Sequence, residues 1–357
     1  MALLAELTHR CPLQCVYCSN PLHLERAGGE LTTDEWLKVL TEVAELGCMQ
    51  VHFSGGEPAA RRDLEQLVQG AAQSGLYTNL ITSGVLLDDV RLKRLSDAGL
   101  EHVQLSFQDA VAEGADRIAG FKGHAKKLEF AKAVRVAGFP LTANFVVHRH
   151  NLERLPAMLD LAVALGAQRT EIAHVQYYGW ALQNRASLLP TREQLERATA
   201  IVDEARTRLK GVLVIDYVVP DYYARRPKAC MGGWGRRFLN VTPSGRVLPC
   251  HAAESIAGLQ FDNVRERPLR DIWHSSEAFQ RFRGTDWMPA PCRGCERAEI
   301  DWGGCRCQAF ALTGDASRTD PACALSSDHA RLLEIAAEDA ASSGGNFVYR
   351  KFALSDD

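Results

Sequence analysis

The chain has 357 residues, 46% hydrophobic and 24% charged, with a formal net charge of −3, enough apolar material for one large domain and a smaller one. That charge balance creates no field to draw nucleic acid or an anionic membrane, and no run of about 18 apolar residues predicts a membrane span. The opening MALLAELTHRCPLQC lacks the basic region and long apolar stretch of a secretory signal, so a cytoplasmic protein is expected.

LLAELT reads as a first strand, and CPLQCVYC directly after it sets Cys11, Cys15 and Cys18 in one loop. LTTDEWLKVLTEVAELG has apolar residues at helical spacing, a Thr N-cap with Glu35 nearby and a closing glycine. MQVHFSGG is a strand and RRDLEQLVQGAAQSG a helix. YTNLITSG, HVQLSFQ, LTANFVVH and RTEIAHVQ repeat the strand pattern, with helices at 88–98, 123–138 and 151–165. TREQLERATAIVDEARTRLK closes the series. Six β/α units with apolar strands predict an α/β fold, a parallel sheet covered by helices. An open doubly wound sheet and a barrel short of two units both satisfy that pattern. Polar residues and glycines gather just after the strands, in THRC, SGGEP, TSG, SFQD, HRHN and QYYGW. Carboxyl ends of parallel strands build active sites, which puts the first cysteines on the catalytic face.

The texture changes near residue 211, so the domains are expected at 1–210 and 211–341, followed by a flexible tail at 342–357. In the second domain FLNVTPSGRVLPC reads as a hairpin with a Pro-Ser-Gly turn, and PLRDIWHSSEAFQRFR as a short amphipathic helix. Within the tail, FVYRKF is apolar enough to dock locally.

Eleven cysteines in a reducing compartment point to metal or redox chemistry rather than disulfides. Cys48, in AELGCMQVHF, reads as a buried helix–strand junction. Cys11, Cys15 and Cys18 offer three thiolates, one fewer than a closed tetrahedral zinc site takes. An iron–sulfur cubane on three thiolates keeps one iron open. Zinc remains the alternative.

C-x3-C-x2-C after the first strand of a β/α series resembles the radical S-adenosylmethionine (SAM) superfamily, and SGGEP (Ser54–Pro58) after the second strand strengthens the match. The resemblance implies a partial (β/α)6 TIM-like barrel. It implies a [4Fe–4S] cluster on Cys11, Cys15 and Cys18, with SAM on the fourth iron. It further implies Tyr17 beside the adenine, and Ser54, Gly55, Gly56 and Glu57 at the methionyl amine, the glycines allowing close backbone approach. Ser83, Ser106, Gln108 and Asn144 match positions that contact the ribose and carboxylate.

The distal cysteines resemble the SPASM extension of peptide-modifying members. Cys230, Gly245-x4-Cys250, Cys292-x2-Cys295, Cys305 and Cys323 fit its pattern, whereas Asp301 stands at a cysteine position and Cys307 is additional. By resemblance, Cys230, Cys250, Cys305 and Cys307 hold one auxiliary cluster. Cys292, Cys295 and Cys323 hold a second, with Asp301 as an oxygen ligand; each is [4Fe–4S] or [2Fe–2S]. A three-ligand cluster with Asp301 as a hairpin residue, and a zinc ribbon, are the alternatives.

Asp301, the CRC at 305–307, QYYGWALQNR and FVYRKF extend the resemblance over the whole chain to the PqqE family of pyrroloquinoline quinone biosynthesis. It implies a peptide cyclase that cleaves SAM reductively to a 5′-deoxyadenosyl radical and joins a glutamate to a tyrosine of the precursor peptide PqqA. The implied partners are PqqA, the peptide chaperone PqqD and an electron donor such as a flavodoxin, with no nucleic acid or membrane. His174, Tyr177 and Tyr178 are candidate substrate contacts on the same rim, and His148 and His150 candidate proton-transfer groups. A sulfatase maturase, a thioether-forming SPASM enzyme and a non-catalytic iron–sulfur or zinc protein are the competing readings. Reductive SAM cleavage separates the last from the enzymes.

Overall fold

The computed structural model describes residues 1–342 and 346–350. Seven parallel strands form its centre: β1 (Ala2–Thr8), β2 (Gln50–Gly55), β3 (Tyr77–Thr82), β4 (His102–Phe107), β5 (Leu141–Val147), β6 (Arg169–His174) and β7 (Val214–Val218). The sheet order is β7-β6-β5-β4-β3-β2-β1-β8-β9, where β8 (Phe238–Val241) lies parallel to β1 and β9 (Val247–Leu248) antiparallel to β8. β7 and β9 are the two edges, so the barrel is open.

Alternation along each strand divides the two faces. On β1, Leu3, Ala5 and Leu7 are fully buried in the helix-facing core, while Leu4 and Glu6 face the concave side. The helix Thr33–Glu45 starts in a capping box between Thr32 and Glu35 and buries Trp36, Val39, Leu40 and Val43. Each such buried aliphatic side chain contributes about 1.5–3 kcal/mol. The same cap, Thr191 with Gln194, begins the helix Arg192–Arg208. Cys48 is buried in this core between Glu45 and Gln50.

The six expected β/α units are present, and the sheet continues past residue 210. VIDYV adds β7, a five-residue strand whose Val214 is exposed, too short and too weakly alternating to read from sequence. The expected hairpin forms as β8–β9, but β8 also pairs with β1, seating the second half of the chain on the barrel edge. The stretch 268–282 splits into the helices Leu269–Ser275 and Glu277–Gln280 because Ser276 is extended and accepts from the Phe279 N–H at 3.4 Å.

Of the tail expected at 342–357, residues 342 and 346–350 are described; residues 343–345 and 351–357 lie outside the described residues. Val348 and the Asn184 side chain exchange two hydrogen bonds of 2.8 Å, and the Tyr349 hydroxyl donates to the Arg117 carbonyl at 2.8 Å. Among the described residues, no helix is long and apolar enough to cross a membrane.

Candidate active site and sulfur-rich centres

The loop carrying Cys11, Cys15 and Cys18 is fixed from three sides. Gly56 N–H donates to Thr8 at 2.6 Å and Glu57 N–H to Arg10 at 2.8 Å. Gln14 N–H donates to Ala119 at 2.7 Å, and Asn184 Nδ2 to Val16 at 3.0 Å. These contacts give the glycines of SGGEP a second physical reason beside the expected one. Gly55 has φ +118°, and a Cβ there would meet Thr8 O at 2.4 Å; at Gly56 it would meet Arg10 O at 2.5 Å. Both glycines line the cavity, yet what excludes a side chain is the cysteine loop packed behind them.

Above the carboxyl ends of the strands lies a cavity of about 460 Å³. Cys11, Cys15, Cys18, Tyr17, Ser54, Gly55, Gly56, Ser83, Ser106, Gln108, Asn144 and His174 all line it. Sequence reasoning missed Glu6, Gln104, Glu171, His251 and Arg350 on the same wall. For three of them a signal existed: Glu6, Gln104 and Glu171 share strand parity with other cavity residues, a polar position where a core strand would carry an aliphatic. Glu171 accepts from Asn144 Nδ2 at 2.7 Å and from Gln104 Nε2 at 3.3 Å.

Burial dominates the electrostatics. It pushes the Cys11 thiol up to about 12 and Cys15 to about 11, and raises Cys18 as well. Lys127, 1% exposed, donates to the Ser106 carbonyl at 3.0 Å and to Gln108 Oε1. Gln108 Nε2 in turn points at Cys15 Sγ, 3.9 Å away, so a buried cation backs the sulfur site through one amide. Burial likewise raises Glu6 to about 7, despite the opposing pull of His251.

Several expected contacts are not brought to this cavity. Glu57 is fully buried behind the wall, where its carboxylate accepts from Thr82 Oγ1 at 2.6 Å, Ser83 N–H at 2.8 Å, Ala59 N–H at 3.1 Å and the Ser83 hydroxyl. It braces Ser83 rather than facing a ligand. His148 is fully buried, its ring 6.0 Å from Tyr17, and His150 lies edge-on to Phe347 at 5.0 Å; neither lines the cavity. Tyr177 packs on Tyr222 at 5.0 Å in a separate apolar cluster. Tyr178 turns the other way, its hydroxyl 3.6 Å from Cys305 Sγ.

The distal cysteines fall into two groups. Cys250, Cys305 and Cys307 are buried in one cluster, against which Cys230 packs. Cys292, Cys295, Cys323 and Asp301 line a second, small pocket. There Asp301 Oδ2 accepts from Arg297 Nε at 3.2 Å and Oδ1 from Gly303 N–H at 3.2 Å. Among the described residues, no three His, Cys, Asp or Glu groups close around a single metal ion. A polynuclear cluster instead spreads its thiolates around a core of several atoms. Thiols this buried ionise only against nearby positive charge, and iron supplies it. The donor set therefore fits iron–sulfur groups, and the cavity beside Cys11, Cys15 and Cys18, with Ser54, Ser83, Ser106, Gln108 and Asn144 on a largely apolar wall, leaves room for a bound ligand.

An open parallel barrel with three loop cysteines over such a cavity, followed by a cysteine-rich extension, defines a radical SAM protein. The radical SAM superfamily matches residues 5–162 and the SPASM iron–sulfur cluster-binding domain residues 230–296. Proteins of these classes bind a [4Fe–4S] cluster with SAM, and SPASM iron–sulfur, respectively. The chain belongs to the PqqA peptide cyclase family. It is 63% identical to the PqqA peptide cyclase of Granulibacter bethesdensis over 98% of this chain and 94% of that one. To the cyclase of Gluconobacter oxydans it is 60% identical over 99% and 98%. Among solved structures, Streptococcus suis SuiB bound to S-adenosylmethionine shares the fold, with a TM-score of 0.75 at 18% identity over 90% of this chain and 76% of that one. Native anSMEcpe with bound AdoMet does so with a TM-score of 0.65 at 16% identity over 94% and 99%.

Proposed function

We propose that the protein joins a glutamate to a tyrosine side chain of the peptide PqqA by a carbon–carbon bond, receiving the peptide from PqqD and electrons from a donor such as a flavodoxin. Cys11, Cys15 and Cys18 hold the [4Fe–4S] cluster. Tyr17, Ser54, Gly55, Gly56, Ser83, Ser106, Gln108 and Asn144 line the SAM site, with Glu57 bracing Ser83. Cys230, Cys250, Cys305 and Cys307 hold one auxiliary cluster, and Cys292, Cys295, Cys323 and Asp301 the other. The observation that carries this reading is a three-cysteine cavity with no fourth cysteine on its described walls, in a chain 63% identical to a PqqA peptide cyclase over nearly its whole length.

When bound, the cluster and SAM supply the 5′-deoxyadenosyl radical that starts the reaction. The chain's own contribution is orientation and exclusion of water. Ser83 is held by the buried Glu57 carboxylate. Gln108 is fixed by Lys127, so its amide cannot rotate away from the Cys15 side. Asn144 and Gln104 are both spent on Glu171, which keeps that carboxylate against the wall. Restoring aromaticity to a coupled tyrosine releases one electron and one proton. Glu6 and His251 border the cavity on the side of Cys250, where a proton acceptor lies beside the distal sulfur group.

The test is reductive SAM cleavage in anaerobically reconstituted protein, with iron counted in parallel. Wild-type protein should yield 5′-deoxyadenosine and Cys15→Ala none, while Cys15→Ala keeps the iron of the distal centres. No cleavage by fully reconstituted wild-type protein would end the radical SAM reading of this chain.

A further inference from the structure

The segment 346–350 has no part in the proposed chemistry, yet it delivers a guanidinium to the reaction cavity. Val348 is clamped by Asn184, whose amide also donates to Val16 inside the cysteine loop at 3.0 Å. Phe347 lies under Arg117, 4.9 Å from ring centroid to guanidinium carbon. Tyr349 packs against Gly120, where a Cβ would meet its ring at 3.0 Å. So held, Arg350 is 3% exposed and lines the cavity together with Cys11, Cys15 and Cys18. Its Nη2 donates to the Cys11 carbonyl at 3.1 Å and the Leu13 carbonyl at 2.7 Å. Its Nη1 is buried without a hydrogen-bond partner.

A buried guanidinium nitrogen with free N–H groups is a costly arrangement unless a ligand completes it. No carboxylate of the described residues pairs with Arg350. Of the two acids on the wall, Glu171 is taken by Asn144 and Gln104, and Glu6 has His9 4.0 Å away. An arginine anchored by one nitrogen and free at the other is preorganised for an anionic oxygen, carboxylate above all.

We propose that Arg350 is the carboxylate-recognition residue of this cavity: Nη2 pins the cysteine loop while Nη1 donates to the carboxylate of a bound ligand. The proposal rests on the radical SAM reading of the site. Two ligands bring a carboxylate there, SAM through its methionyl moiety and the peptide through its glutamate. The C-terminal segment is then a strap that joins ligand binding to the position of the cluster loop.

The experiment compares wild-type, R350Q and R350K full-length protein after anaerobic reconstitution, with iron content and thermal unfolding as controls. Equilibrium binding is measured for SAM, decarboxylated SAM, synthetic PqqA, and PqqA with its cross-linked glutamate replaced by glutamine. R350Q should retain iron and lose on the order of 10- to 100-fold in affinity, the value of one charged hydrogen bond, for one carboxylate ligand only. A loss for SAM with unchanged binding of decarboxylated SAM assigns Nη1 to the SAM carboxylate. A loss for PqqA with unchanged binding of the glutamine peptide assigns it to the substrate. If R350Q does not retain iron, the same comparison in R350K, which keeps the charge and a donor to the loop, should still show a loss selective for one carboxylate ligand. Equal affinities in variant and wild type, or equal losses for ligands with and without the carboxylate, would overturn the proposal. Failure of wild-type protein to bind SAM at all would instead remove the reading beneath it.

Discussion

The hydroxyl of Tyr178 sits 3.6 Å from the sulfur of Cys305, so the chain leaving β6 connects the barrel directly to the distal cysteine group. A hydrogen bond at a sulfur ligand shifts the potential of an iron–sulfur centre. Tyr178→Phe keeps the ring that packs on His251 at 6.0 Å and removes only the hydroxyl. It should leave 5′-deoxyadenosine formation within about twofold, shift the electron paramagnetic resonance signal of one distal centre, and slow cross-linking roughly tenfold, the effect of about 1.4 kcal/mol. Unchanged spectra with unchanged coupling would mean the contact is packing alone.

Asp301 separates the two distal roles in the same way. It shares a pocket with Cys292, Cys295 and Cys323 and is held by Arg297 and Gly303. Asp301→Ala should reduce cross-linking by at least about tenfold while SAM cleavage changes by less than about threefold, a difference of at least about 0.7 kcal/mol. Equal loss of both activities would contradict a separate auxiliary role.

Gly56→Ala tests how the first loop is held. Its Cβ would fall 2.5 Å from Arg10 O and 2.7 Å from His9 O, both backbone atoms that move only with the cysteine loop. The variant should lose about 2–4 kcal/mol of stability, together with the iron of the first centre, and keep distal iron. Full iron retention with a normal melting temperature would show that the loop can give way.

Protonation of His174 should make the protein acid-sensitive. Burial, aided by Lys228, lowers its pKa to about 3, against about 6.5 in an unfolded chain. Below pH 6.5 the unfolded state takes up a proton that the folded state refuses, so the stabilisation is complete above 6.5 and is lost as pH falls towards 3. At pH 5 the loss is about 2 kcal/mol. Denaturant melts of wild type and His174→Gln at pH 7.5 and 5 should differ by that amount, with the wild type falling further; parallel profiles would refute it.

Most of the barrel was legible because strands β1 to β6 alternate or run apolar, and two of the long helices open on capping boxes, Thr32 with Glu35 and Thr191 with Gln194. The three loop cysteines and SGGEP carried the resemblance that implied the chemistry. What stayed hidden depends on tertiary placement. Tyr177 and Tyr178 are neighbours in sequence yet enter different apolar clusters, since adjacent residues of extended chain point apart. Glu57 looks like a ligand contact in a one-dimensional motif, but its carboxylate is satisfied by Thr82 and Ser83 at the next strand end. Arg350 lies more than 330 residues from the carbonyls it binds, and no local pattern announces such a partner.

Mass spectrometry of PqqA after anaerobic incubation with the reconstituted protein, SAM, reductant and PqqD decides whether this chain makes the cross-link. The expected product is a peptide lighter by two hydrogens, with fragmentation locating the new bond between a glutamate and a tyrosine, and 5′-deoxyadenosine formed alongside it. Unmodified PqqA beside abundant 5′-deoxyadenosine would contradict it and point to a different substrate.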